Sequence, residues 1–217
     1  MAQNVLQLSN EGIDTLTRMY NFLVNNRGMS PQATAAILGN VMQESTFNHA
    51  AVSSKNAKGV YQLLGDKYKN YLKYISDKGW KDGPLSQTSF VIDELKNGRD
   101  PYYETYDELK RREANNWRTP TADGTGWYKN VNDSIYFANV YKDREANGTL
   151  PPRREDAWRV ISTSTDIPEI TTMFMNYWER PGAAEANLAT RIGYANEIYN
   201  HFNKKQFGGK LNYFNYF

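Results

Sequence analysis

Two histidines and no cysteine stand among the 217 residues of this chain, and that shortage decides which chemistry is open to it. Without cysteine there is no disulfide, no thiolate metal site and no thiol nucleophile. His49 and His201 alone give a Ser-His-Asp triad or a histidine-rich metal centre little material. Neither histidine stands at metal-ligand spacing from carboxylates, so no metal and no cofactor are expected. Catalysis in this chain must lean on carboxylates, and one of them is out of place.

That carboxylate is Glu44. Ser30-Pro31 is a helix cap followed by proline at the first helical position, and Ala33, Ile37, Asn40, Val41 and Glu44 recur at helical spacing as far as Phe47-Asn48. The pattern predicts a helix ending near Glu44, with the glutamate on the same face as Ile37 and Val41. Loss of water around a carboxyl and the partial negative charge of a helix C-terminus both favour the proton-bearing form. A carboxyl that keeps its proton near neutral pH is what a general acid needs to cleave a glycosidic bond. The plainer reading of the same spacing is a helix-end glutamate at the surface or paired with a base.

Around this helix the sequence sets out further elements. Ser9 with Ile13, Leu16, Tyr20 and Leu23 reads as a capped amphipathic helix stopped by Asn25-Asn26-Arg27-Gly28. The small, polar stretch from Asn48 to Asp66 predicts a loop or short hairpin, after which Tyr68, Tyr71, Leu72 and Ile75 resume a helical stripe closed by Gly79. Leu85 to Leu95 is another helix. The region from 97 to 161 holds charged helical pieces such as Ser134 to Glu145 and a turn-rich loop flanked by Trp117, Trp127 and Tyr128, flat rings that suit either a glycan-gripping lip or a self-pinned loop. Asp166-Ile167-Pro168-Glu169 is a capping box, followed by Ile170, Met173, Phe174, Tyr177 and Trp178 on one buried face. Pro181-Gly182 breaks that helix, and Leu188, Ile192, Ala195, Tyr199 and Phe202 mark a last one, before an aromatic tail over 208–217 that needs a surface to cover it.

Composition narrows the partners. With 26 Lys+Arg against 24 Asp+Glu the net charge is +2, too small for a protein whose partner is nucleic acid. No apolar run reaches the roughly 18 residues of a membrane span, and Met1 to Gln7 has neither the basic nor the apolar region of a secretory signal. A soluble chain made without such a signal is expected. Tyr (16) and Trp (5) outnumber Phe (9), a bias toward rings with one polar edge that suits wet, concave surfaces.

The residues around Glu44 carry a resemblance. Gly39-Asn40-Val41-Met42-Gln43-Glu44-Ser45-Thr46-Phe47-Asn48, then Ala51, then Gly59-Val60-Tyr61-Gln62, resembles the G-N-x-x-x-E-S-x-x-N-P-x-A and G-x-x-Q pattern of lysozyme-like peptidoglycan hydrolases. A second block, Phe174-Met175-Asn176-Tyr177-Trp178-Glu179-Arg180-Pro181-Gly182, is similar to the F-x-x-x-[YW]-E-R-P of the phage tail lysozyme family. The resemblance spans roughly residues 29 to 95 and 160 to 202. His49 stands where the family usually has proline, and Leu63 where it usually has a tryptophan that would offer a sugar a stacking face.

By that resemblance Glu44 is the catalytic acid, Ser45 the hydroxyl that steadies it, and Gln62, with Tyr61 beside it, reaches the sugar cleft. Tyr177 and Trp178 face either the substrate or the core. Glu179 and Arg180 belong to the cleft or form a structural clasp at the helix end. The resemblance implies an α-dominated (α+β) lysozyme-like fold, with a small hairpin near residues 50 to 63 and a cleft between helical lobes. It further implies a single domain over 1–207 carrying the insertion of about 97–161. The substrate class is bacterial peptidoglycan, cut between N-acetylmuramic acid and N-acetylglucosamine, and other phage tail proteins are the expected partners. Acting from the virion tail is the first reading. An endolysin held in the host cytoplasm before release is the second, and a non-catalytic structural or glycan-binding tail module is a rival of another class. Between Ser45 and Gly65 there is no Asp or Glu, leaving Asp66, Glu94, Asp123 and Glu179 unranked as a second carboxylate. A lone carboxyl favours attack by the substrate's own N-acetyl or 6-hydroxyl group over a water held by a second carboxylate.

Overall fold

A computed structural model of the chain describes residues 7–98, 100, 103, 106–107, 110–111, 140, 142–148, 150–179 and 187–208, with side chains to 203 in the last helix. The chain divides into two compact units, one of residues 1–97 with 155–217 and the other of 98–154.

The first unit is built of helices whose starts follow from their caps. Helix α1 spans Asn10–Asn21, its free N-terminal amides met by Ser9, whose hydroxyl accepts from the Gly12 amide at 3.1 Å. It runs on through a wider π-type turn, Phe22–Asn26. Helix α2 spans Pro31–Ser45, with Ser30 accepting from the Ala33 amide at 3.1 Å. Helices α3 (Asp66–Lys78) and α4 (Pro84–Asn97) follow, α3 being closed by Gly79 in the left-handed conformation that glycine enters at little cost. Helix α5 is Arg154–Thr163. Helix α6, Ile167–Phe174, is capped by Asp166, which accepts from the Glu169 amide at 3.1 Å, and a second π-type turn, Met175–Glu179, extends it. Helix α7 is Leu188–Gly208.

Helix α2 is the axis of this unit. Every residue from Ala33 to Met42 is buried, the mark of a helix packed on all sides. It lies against α7 and α6, and Gly39 explains how closely. A Cβ at Gly39 would sit 2.7 Å from both the Cβ and the backbone nitrogen of Ala195, so glycine lets the two backbones approach where any side chain would hold them apart. Tyr20 of α1 stacks on Phe202 of α7 with ring centroids 3.7 Å apart, which closes α1 onto the same core.

The helical architecture agrees with the expected lysozyme-like class, and three details differ. Among the described residues no strand forms. Residues 48–65 make a loop held by two isolated bridges, Val52 to Lys58 and Lys58 to Leu63, in place of the expected hairpin. Ile13 and Leu72, placed on buried stripes by their spacing, are exposed, because α1 and α3 each present only a narrow face to the core. The buried stripe of α7 is Arg191, Ala195, Ile198 and Phe202, turned by one residue from the expected Ile192 and Tyr199 face. A periodicity of apolar types passes over an arginine, and here an arginine is on the buried face.

In the second unit, Arg153 grips Asp107 with two hydrogen bonds of 2.9 and 2.7 Å, and Glu145 takes Tyr106 and Lys110 at 2.8 and 2.6 Å. Trp117, Trp127, Tyr128, Asp123 and the tail from 209 to 217 lie outside the described residues, as does most of the helical piece expected over Ser134 to Glu145. Among the described residues no helix is long and apolar enough to cross a membrane.

Candidate active site

A cleft of about 910 Å³ opens in the first unit where the end of α2, the 53–65 loop, the start of α3 and the first turn of α7 converge. Gln43 and Glu44, Tyr61 and Gln62, Asp66 and Lys67, Glu179, Asn187 and Arg191 are among the residues that line it. Three carboxyls and three cations, counting Lys55, therefore face one space.

Glu44 enters from the last turn of α2, its side chain 22% exposed. Arg191, 1% exposed, donates to its Oε1 at 2.5 Å from α7, and through its other terminal nitrogen donates to Asn40 Oδ1 at 3.1 Å. The Asn40 amide in turn donates to the carbonyls of Ala36 and Thr171, at 3.0 and 3.3 Å. One fork thus joins α2 to α7, and Asn40 also ties α2 to α6. Gly39 and Asn40 have distinct physical roles: the first permits the helix approach, and the second orients the guanidinium that meets Glu44.

Ser45 is buried beside the acid, and its hydroxyl donates to the carbonyls of Val60 and Val41, at 2.9 and 3.3 Å. It fastens the end of α2 to the 53–65 loop, so any steadying of Glu44 runs through that loop. Directly after it the chain turns sharply, with Thr46 and Phe47 both at positive φ and Phe47 fully buried as the anchor of the turn.

Gln62 lines the cleft from a strained backbone, φ 46°, and its amide donates to Gly59 and Ala51 carbonyls at 2.8 and 3.2 Å. Tyr61 is buried with its hydroxyl donating to Thr88 at 3.4 Å. Gly59 stands at φ 76°, and a Cβ there would collide with the buried Gln87 amide, so the loop that presents Tyr61 and Gln62 is seated directly on α4.

The second block divides. Tyr177 and Trp178 are both buried in the core and are not among the cleft-lining residues. The Trp178 ring packs edge-on against Phe90 with centroids 6.3 Å apart. Lys67 spans the boundary: its ammonium donates to the Trp178 carbonyl and lies 4.3 Å from the centre of the Trp178 ring. Glu179, last residue of the π-type turn, faces the cleft instead. Its Oε1 is buried and has no hydrogen-bond partner among the described residues. Burial, and then the nearby Glu44 carboxylate, push the Glu179 carboxyl up to about 8, against the opposing pull of Lys67 and Arg191. The carboxyl that burial drives toward its neutral form in this cleft is therefore Glu179. Arg180 lies outside the described residues.

Sequence reasoning missed Arg191 and Lys67. The signal for Arg191 was present: it stands four residues before Ala195 on the apolar face of α7, as Glu44 stands on that of α2, and two opposite charges on buried faces seek each other. Lys67, at the exposed start of α3, carried no such sign. Among the described residues no group of His, Asp and Glu is arranged to hold a metal.

A cleft lined by unequal carboxyls and floored by a buried guanidinium suits acid–base chemistry on a polar, extended substrate. No curated protein and no solved structure matches the chain. A family model described as phage tail lysozyme matches residues 14–202, a span that takes in α2, the 53–65 loop, Glu179 and Arg191. By that match the chain belongs to the phage tail lysozyme family.

Proposed function

We propose that this protein cleaves the β-1,4 bond between N-acetylmuramic acid and N-acetylglucosamine, with Glu44 giving its proton to the leaving oxygen, and that it acts from the virion tail during entry. Family membership carries the coarse part: a peptidoglycan-degrading, lysozyme-like function of the glycosidase type, fitted to tail association and action on the wall. The observation that supports the finer part is the position of Glu44, at the rim of the cleft and held in one orientation by Arg191. A reacting carboxyl must be both reachable and fixed, and this one is. Tyr61 and Gln62, on the loop that Ser45 fastens to α2, line the same cleft as candidate sugar contacts.

Cleavage that leaves 1,6-anhydromuramic ends is the preferred form of the reaction. Of the other lining carboxyls, Asp66 has a side chain 89% exposed and lies 3.0 Å from the Lys69 ammonium, while Glu179 is driven toward its neutral form. A neutral or solvent-committed carboxyl is a poor nucleophile, so among the described residues no other lining carboxyl is suited to attack, which favours the substrate's own 6-hydroxyl or N-acetyl group. In that route Glu44 protonates the glycosidic oxygen as the bond to the anomeric carbon breaks. The 6-hydroxyl forms the new bond and its proton passes back to Glu44.

Zymography on purified wall tests the activity. Clearing by the intact chain and none by Glu44→Gln is expected, while wall capture without clearing would show a binding module. Mass spectrometry of the released muropeptides tests the route, with reducing ends throughout showing that water is the acceptor. Finding the chain in purified particles separates a tail enzyme from an endolysin.

A further inference from the structure

A general acid beside a guanidinium meets a conflict. The cation stabilises a carboxylate, whereas donation requires the carboxylic acid. Arg191 is buried and bonded to Glu44, so it cannot swing into solvent to relieve this. Something in the cleft must keep a proton there, and among the described residues Glu179 is placed to do so.

Glu179 lines the same cleft from the end of α6's π-type turn. Among the described residues, the titratable and charged groups that act on it are Glu44 from α2, Lys67 from α3, Arg191 from α7, and the Tyr61 phenol from the loop. Lys67 donates to the Trp178 carbonyl and lies against its ring, and Arg191 donates to Asn40 and Glu44. Neither cation hydrogen-bonds the Glu179 Oε1, which stays buried without a partner among the described residues. An ionised carboxylate left so would be badly solvated, while a neutral acid is tolerated.

The geometry points to Glu44 and Glu179 working as a pair that holds one proton, with Glu179 the positioning residue that keeps this proton in the cleft against the pull of Arg191. Two carboxyls that share a low-dielectric site cannot both ionise easily, so the last proton leaves at higher pH than it would leave either group alone. At rest the proton sits on Glu179, the carboxyl that burial holds neutral. Once it has passed to Glu44, that group donates it to the glycosidic oxygen, Glu179 being ionised only while the bond breaks, and the carboxylate left on Glu44 is the one Arg191 is shaped to hold. The attacking hydroxyl then returns a proton to the pair, and the count is restored. The upward push that burial and Glu44 give to Glu179 agrees with this arrangement. The inference rests on the glycosidase reading for its use, and on the cleft alone for its existence.

Two measurements separate those layers. In the folded chain labelled at the glutamate δ-carbon, ¹³C NMR should show one carboxyl titrating well above the ordinary range, absent in Glu179→Gln and moved to lower pH in Glu44→Gln as a like charge is removed. Ordinary titration of every glutamate, or a high one indifferent to Glu44→Gln, overturns the pair even if the wall is cleaved. In the pH profile of kcat/KM on wall fragments, Glu179→Gln should move the alkaline limb to lower pH by on the order of one unit. Superposed limbs overturn the positioning role. Should Glu179→Gln not fold, the comparison of the intact chain with Glu44→Gln still decides. If the coupled titration is present but no wall is cleaved at any pH, the pair stands and the glycosidase reading falls.

Discussion

Glu44 and Arg191 are bonded to each other, yet removing one should not resemble removing the other. In Glu44→Gln the amide oxygen can still accept from the guanidinium at nearly the same place, so the fold is expected to persist. What disappears is the transferable proton, worth roughly 10²–10⁴-fold in rate. Wall clearing measured beside thermal unfolding checks this, and undiminished turnover would remove Glu44 from the reaction. In Arg191→Leu the loss falls on stability. Asn40 Oδ1 is left buried and unpaired, at about 1–3 kcal/mol, while Glu44, partly open to water, recovers some solvation and keeps the cost below that of breaking a fully buried ion pair. Urea unfolding that shows no change would mean the fork contributes nothing. The two partners also differ in how legible they are. Glu44 announces itself on the same helix face as Ile37 and Val41, within about two turns of both. Arg191 lies 147 residues away, and its role is visible only once α7 is laid on α2.

At the scale of elements, the glycine that permits that contact is itself a test. In an isolated helix Gly39→Ala would gain about 1 kcal/mol from helix propensity. Here the added methyl meets the backbone nitrogen of Ala195 and the carbonyl of Arg191, at 2.7 and 2.8 Å, neither of which can rotate aside. Overpacking of this kind costs about 1–3 kcal/mol, so the sign reverses and the variant should be less stable. It should also clear the wall more slowly, because α7 must move away and carry Arg191 with it. A Gly39→Ala protein as stable as the parent would show that the helices have room to spare. The helix starts were readable because their causes are local: Ser9, Ser30 and Asp166 each accept from an amide within three residues. The 48–65 segment was readable only as a loop or hairpin. Its form depends on Gln87 of α4 beneath Gly59 and on Ser45 bonded to Val60, contacts no local pattern encodes. Tyr177 and Trp178 were open between core and cleft for a similar reason. The π-type turn at Met175–Glu179 decides which side chains turn inward, and an ideal helical period does not contain it.

For the molecule as a whole, the buried acid in the cleft couples stability to pH. Glu179 ionises near 4.5 when unfolded and at about 8 when folded. Between those values the folded state holds a proton that the unfolded state has released. Stability follows the difference in protons bound, unfolded minus folded, which is negative here, so it falls as pH rises. The contribution of Glu179 is fully present below about 4.5, declines through neutrality and is lost once pH passes about 8. Glu94, raised by burial and by its neighbour Asp93, acts in the same direction, while Asp107, held low by Arg153, acts in the opposite one. Comparing the intact chain with Glu179→Gln cancels these, because both proteins share them. Urea midpoints at pH 5, 7 and 9 should fall more steeply for the intact chain than for the variant, and the variant should be relatively more stable at pH 9 than at pH 5. Parallel curves would show that Glu179 meets no more resistance to ionising in the fold than in the unfolded chain. A cleft that retains its proton at some cost to the fold is the arrangement expected where acid chemistry must run near neutral pH.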